Sequence, residues 1–230
     1  MISPTRKISL VFGLFFAGTF VFSIPAPFFY GTAAHDAEGM LNGISGTRIS
    51  MGALCEIFLA ICNIATAVVI FPLTRRVSEP IALGYIALRI VESIIILMGV
   101  MSLLSVLTLR GTIPAGGDMD TLSMAGRLLL TFHDKASLLG PQFCAGFGNG
   151  ILLGYLMYRS QLVPRRMAII GLVGGPLAFI GGVLVLFGVL TMQSPGLLAF
   201  TALEIIWELS ITIYPLVKGF RPSPLALGDQ

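Results

Sequence analysis

The sequence predicts an all-α, polytopic transmembrane bundle of about six helices, with both termini on the cytoplasmic side. Three observations carry this. The 230 residues are 56% hydrophobic and only 11% charged, with mean hydropathy +0.94, whereas soluble domains carry about 25% charged residues. Apolar runs of roughly 20 residues, the length of helix that crosses a bilayer, recur along the chain. Lys and Arg gather on alternate connections between those runs. One integral membrane domain over residues 1–230 is expected, with no soluble domain attached.

The first segment is expected at about 8–29. No charge occurs from Ile8 to Ala34. Arg6-Lys7 before an apolar run also fits a signal peptide. The run exceeds a usual h-region and no A-x-A site follows, so an uncleaved first helix is expected. The second segment, 49–74, is interrupted only by Glu56, and the third, 80–109, holds Arg89 and Glu92. The fourth is placed at 136–158. From Met167 to Leu203 the chain is again free of charge, too long for one span. Gln193-Ser194-Pro195-Gly196 is a turn signal inside it. The fifth segment is therefore 167–192 and the sixth 197–217.

Between the third and fourth segments, the loop 110–135 opens as a Pro/Gly turn and continues with a helical pattern. Asp118 or Asp120 is the candidate cap. Its helix either lies on the outer surface or extends segment four outward, with Pro141 as a kink.

Orientation follows from the cations. Arg6, Lys7, Arg75, Arg76, Arg159, Arg165, Arg166, Lys218 and Arg221 fall on one side, and Arg48, Arg110, Arg127 and Lys135 on the other. Nine against four assigns the first group to the cytoplasm. The net charge of +3 is thus a matter of topology, and no nucleic-acid partner is expected. The expected partners are the lipid bilayer and a small-molecule or lipid ligand. Gly146, Gly150 and Gly154 on segment four, and Gly171, Gly174, Gly175, Ala178 and Gly182 on segment five, form small-residue faces that let helix backbones approach. They serve packing within the chain or an oligomer.

The ionisable residues inside the apolar segments say most about function. A charge at the bilayer centre costs about 2.5 kcal/mol or more, so such residues pair, line a wet cavity or do chemistry. Glu56 lies roughly 10 Å below the outer end of segment two at 1.5 Å per residue. Arg89 and Glu92 share one face of segment three, and Glu204 and Glu208 one face of segment six, with Trp207 between them. His133 and Asp134 sit at the outer mouth of segment four. Four glutamates and one arginine thus occupy the outer half to middle of the bundle. They are expected to converge on one interior site, in which Arg89 compensates only a share of the carboxyl groups. The binding candidates are Glu56, Arg89, Glu92, His133, Asp134, Glu204, Trp207 and Glu208. If the protein is an enzyme, Glu208, Glu204, Glu92 and Glu56 are the acid/base candidates. A buried ion pair that only fixes helix register is the structural alternative. Asn63, Gln142 and Asn149 are expected to hydrogen-bond between helices.

No H-E-x-x-H, Walker A or G-x-S-x-G pattern occurs. The only histidines are His35 and His133, neither deep in a span. No metal site and no cofactor are expected. Cys55, Cys62 and Cys144 lie in apolar stretches and form no CxxC pair, so they are expected to be buried thiols.

At Gly154-Tyr-Leu-Met-Tyr158-Arg159-Ser160-Gln-Leu-Val-Pro164-Arg165, followed by the Gly-rich stretch from Gly171 to Gly175, the chain resembles the DUF4386 family of bacterial integral membrane proteins. That family tends to show a glutamate in the second span, an R-x-x-E in the third, and a glutamate-bearing last span ending in K-G-F. Here these are Glu56, Arg89 with Glu92, Glu204 with Glu208, and Lys218-Gly219-Phe220. The resemblance implies a multi-pass protein of a bacterial inner membrane and no particular activity. Tyr158, Arg159, Arg165 and Arg166 read physically as an interfacial anchor. Two function classes remain, with a blander third. The first is a small-molecule binding or transport protein with its acidic site open to the outer side. The second is a membrane-embedded enzyme acting on a lipid or isoprenoid. The third is an accessory protein with no site.

Overall fold

The computed structural model describes residues 3–31, 39–40, 45–111 and 119–223, and the fold is all-α. His35, Asp36, Glu38 and Asp118, the last a candidate cap, lie outside the described residues. The elements are α1 (Pro4–Ser23), α2 (Pro25–Tyr30), α3 (Gly46–Thr74), α4 (Glu79–Gly111), α5 (Met119–Ser137), α6 (Gly154–Ser160), α7 (Arg165–Leu186) and α8 (Pro195–Val217). Two π-helical segments, Leu138–Cys144 and Gly146–Leu153, join α5 to α6 in one rod. Among the described residues, five helices are long and apolar enough to cross a membrane: Pro4–Tyr30, Gly46–Thr74, Glu79–Leu109, Arg165–Leu186 and Pro195–Val217.

Helix limits follow local chemistry. The Ser3 side chain accepts from the Arg6 amide at 3.2 Å, with Pro4 at the first helical position, where its missing N–H costs nothing. Pro25 separates α1 from α2, so the expected single segment 8–29 starts earlier and carries a break. α7 runs over 165–186 rather than 167–192, because Gly188 turns the chain at φ 73°. Ser194 caps α8 through the Leu197 amide at 3.4 Å, and Pro195 follows. The helix expected within 110–135 extends segment four continuously, and Pro141 lies in the first π-helical segment. Proline cannot supply an amide to the ladder, and the widened turn accommodates that loss. Asp120 is in the first turn of α5, where a negative charge favours the helix dipole.

The helices close a ring. α1 packs on α3, α3 on α4, α4 on the rod, the rod on α7, α7 on α8, and α8 returns to α1. The small-residue faces account for the tightest seam. A Cβ on Gly175 would stand 2.7 Å from the Cα of Gly150, and one on Gly174 would stand 2.7 Å from the Glu204 amide nitrogen. Only glycine permits these approaches. The α1–α8 seam is tied by Arg6, whose guanidinium donates to the Pro215 and Leu216 carbonyls at 2.8 Å each. These are orphan acceptors of the last turn of α8.

Two apolar clusters stand at opposite ends. One gathers Phe12, Ile70, Tyr85, Leu156, Trp207 and Phe220 at the end where α1 begins and α8 stops. The other gathers Tyr30, Met40, Ile49, Leu103, Val106 and Leu130. The first is called here the basic end, since Arg75, Arg76, Arg159, Arg165, Arg166, Lys218 and Arg221 flank it. Between the two clusters lies a belt of buried polar side chains.

Candidate functional site

The belt consists of a closed part and an open part. In the closed part, α3 and α4 bring Asn63, Arg89 and Glu92 together. The Arg89 guanidinium donates to Glu92 at 2.5 Å and to the Asn63 side-chain oxygen. The Asn63 amide in turn donates to the other Glu92 oxygen at 3.3 Å. Arg89 is 2% exposed. Every strong acceptor of this triad is engaged, which is what a buried charge pair needs to persist. The triad holds α3 and α4 in register.

The second network begins one helical turn before Arg89 on the same face of α4. The Tyr85 hydroxyl donates to the Asn149 side-chain oxygen at 3.1 Å. The Asn149 amide donates to Glu208 at 2.6 Å, and its backbone carbonyl accepts from the Trp207 indole at 2.9 Å. Asn149 sits in the second π-helical segment, where the wide turn presents both its side chain and its carbonyl to neighbouring helices. The Arg89 charge acts on Glu92, Glu204 and Glu208, and the latter two act on each other. One guanidinium therefore pairs directly with Glu92 and acts at longer range on the two carboxyl groups of α8.

Glu204 is the open part. It is 4% exposed, and neither carboxyl oxygen has a hydrogen-bond partner. It lines a cavity of about 220 Å3 with Pro141, Gln142, Ala178, Thr201 and Glu208. Gln142 is itself fixed by donating to the Ala178 carbonyl at 2.8 Å.

Glu56 is placed elsewhere. It accepts from the Tyr30 hydroxyl at 2.8 Å and stands 3.8 Å from the His133 Nε2. His133 and Tyr30 meet edge to face at 5.9 Å. These residues and Asp134 line a larger cavity of about 510 Å3 at the end away from the basic cluster, closed on its other side by the α7–α8 connection. A small cavity of about 30 Å3, lined by Glu56, His133 and Pro141, adjoins it. Pro141 also lines the Glu204 cavity, so the same residue borders both spaces.

The eight binding candidates thus form two groups: Glu56, His133 and Asp134 at the wide cavity, and Arg89, Glu92, Glu204, Trp207 and Glu208 in the buried network. Tyr85 and Tyr30 are hydrogen-bond partners of the candidate residues that sequence reasoning missed. Tyr85 carried a readable signal, its i, i+4 spacing to Arg89. Tyr30 had none, because its bond to Glu56 joins α2 to α3. Among the described residues, no group of three or more His, Cys, Asp or Glu side chains could hold a metal ion. All three cysteines are free thiols.

No curated protein and no solved structure matches this chain. The family model described as a domain of unknown function, DUF4386, matches residues 11–219. A bundle with helices long and apolar enough to cross a membrane accompanies that match, and the protein belongs to the DUF4386 family.

Proposed function

We propose that the protein binds and moves a small cationic molecule across a membrane, using the acidic groups of the belt as its site. The observation that carries this reading is Glu204: a buried carboxyl group without a hydrogen-bond partner, facing a cavity and close to a second glutamate. Leaving a buried polar group unsatisfied costs about 1–3 kcal/mol, a cost that a ligand supplying charge and donors relieves. The wide cavity beside Glu56 and His133 serves as the outer vestibule, and the small cavity at Pro141 separates it from the Glu204 site. In this reading the basic end faces the cytoplasm of a bacterial cell, both termini lie inside, and the vestibule opens outward.

The enzyme alternative calls for acids within apolar, aromatic walls. The cavity around Glu204 and Glu208 is lined by Pro141, Gln142, Ala145, Ala178, Thr201 and Ile205, with no aromatic ring among them, so the binding reading is preferred. The test is uptake of radiolabelled putrescine, a small primary diammonium, into proteoliposomes under an imposed pH gradient. Wild-type protein should accelerate gradient-dependent uptake and Glu208→Gln should abolish it. Equal uptake by protein-free, wild-type and variant vesicles would sink the proposal.

A further inference from the structure

The Glu204 cavity differs from an ordinary solute pocket in size and in position. At about 220 Å3 it falls below the 300–1,000 Å3 usual for a drug-sized ligand. One of its lining residues, Ile205, is 40% exposed. Ile205 belongs to the apolar outer strip of α8 with Ile206, Leu209 and Ile213, all exposed. The cavity therefore extends from two carboxyl groups to the surface that meets lipid. Its polar chemistry is one-sided. Glu204 offers two acceptor oxygens with no donor. Glu208 has a single side-chain donor, Asn149, and Gln142 has already spent an amide proton on Ala178.

Resting on the cation-binding reading above, we infer that this site takes the protonated amino group of a single-chain amphiphilic amine, which enters sideways from the bilayer past Ile205. A space this small holds a headgroup and the first carbons of a chain, and the rest of the chain stays in the lipid. The empty acceptors of Glu204 call for N–H donors, so a primary ammonium fits where a quaternary ammonium, which has charge but no N–H, does not. A charge-assisted hydrogen bond in a dry environment is among the stronger polar contacts available. The aliphatic chain lies along Ile205 and Ala178, at no cost in polar desolvation.

Trp207 makes the test direct. It is the single tryptophan of the chain, fully buried and one residue from Glu208. The protein is reconstituted in nanodiscs of a neutral phospholipid and titrated with octylamine, whose ammonium, seated against Glu204 and Glu208, quenches the neighbouring indole. Saturable quenching is expected. The apparent affinity should fall about ten-fold or more in Glu204→Gln and for the trimethylammonium analogue of the probe, a loss of about 1.4 kcal/mol. Octanol should give no saturable quenching. Ile205→Phe, which narrows the lateral mouth and leaves both carboxyl groups in place, should weaken saturation as well, and it decides the matter if Glu204→Gln does not fold. Alcohol and amine quenching alike, or wild-type titrations in both variants, overturn the inference. Failure here with putrescine uptake intact refutes lateral amine binding alone. Saturable quenching without any gradient-driven uptake refutes transport and leaves the amine site standing.

Discussion

Asn149 is the residue on which the polar belt depends most directly, and Asn149→Leu puts a magnitude on it. The side chain links Tyr85 at 3.1 Å to Glu208 at 2.6 Å, so the substitution strands one hydroxyl and removes the one side-chain donor to Glu208. In water, two such losses would total about 2–6 kcal/mol. In a bilayer the reference state also finds partners, and an interhelical hydrogen bond averages about 0.6 kcal/mol with a maximum near 1.7. The expected loss is therefore about 1–3 kcal/mol, with the bond to the carboxyl group the larger share. Unfolding by SDS in mixed micelles, followed by Trp207 fluorescence, measures it. A double-mutant cycle with Tyr85→Phe isolates the Tyr85 bond and should show coupling of about 0.5 kcal/mol or more. Losses that add within about 0.3 kcal/mol would show that Tyr85 and Asn149 do not interact, and the network described here would be refuted.

Four further predictions concern the frame. Gly175→Ala should destabilise by more than the roughly 1–3 kcal/mol of ordinary overpacking, because the new methyl meets the Gly146 carbonyl and the Gly150 backbone rather than a movable side chain. Gly84→Ala, whose nearest neighbour is a Leu152 methyl at 3.6 Å, should instead stabilise by up to about 1 kcal/mol in the same titration. Arg6→Ala should release the α1–α8 seam, cost about 1–2 kcal/mol, and raise amide hydrogen exchange in the last turn of α8, where Arg6 now holds the Pro215 and Leu216 carbonyls. Gly188→Ala has free space around it but a φ of 73°, so the same SDS titration should register a loss of about 1–2 kcal/mol from backbone strain alone.

The linear chain determined the class of the fold and the inventory of its site. Length and absence of charge in each run specify spans, since a bilayer admits only helices that satisfy their own backbone groups. The Ser194-Pro195 break between the last two spans was readable, because capping and proline chemistry act within a few residues. The small-residue faces of segments four and five were readable too, but their meeting each other, and the continuity of the helix across Pro141, were decided by the packing. The sharing of the site was not readable. Spacing along a helix places Glu204 and Glu208 on one face but does not say which neighbour that face meets. Closure of α8 onto α1 and the rod puts Glu208 against Asn149 and leaves Glu204 facing a cavity. Glu56 likewise meets Tyr30 of α2 and His133 of α5, so it lies at the wide cavity rather than with Arg89 in the buried network, a pairing that no spacing along α3 reveals. Side-chain type is a property of the chain, whereas pairing depends on distances between helices, and these are fixed only when the ring packs.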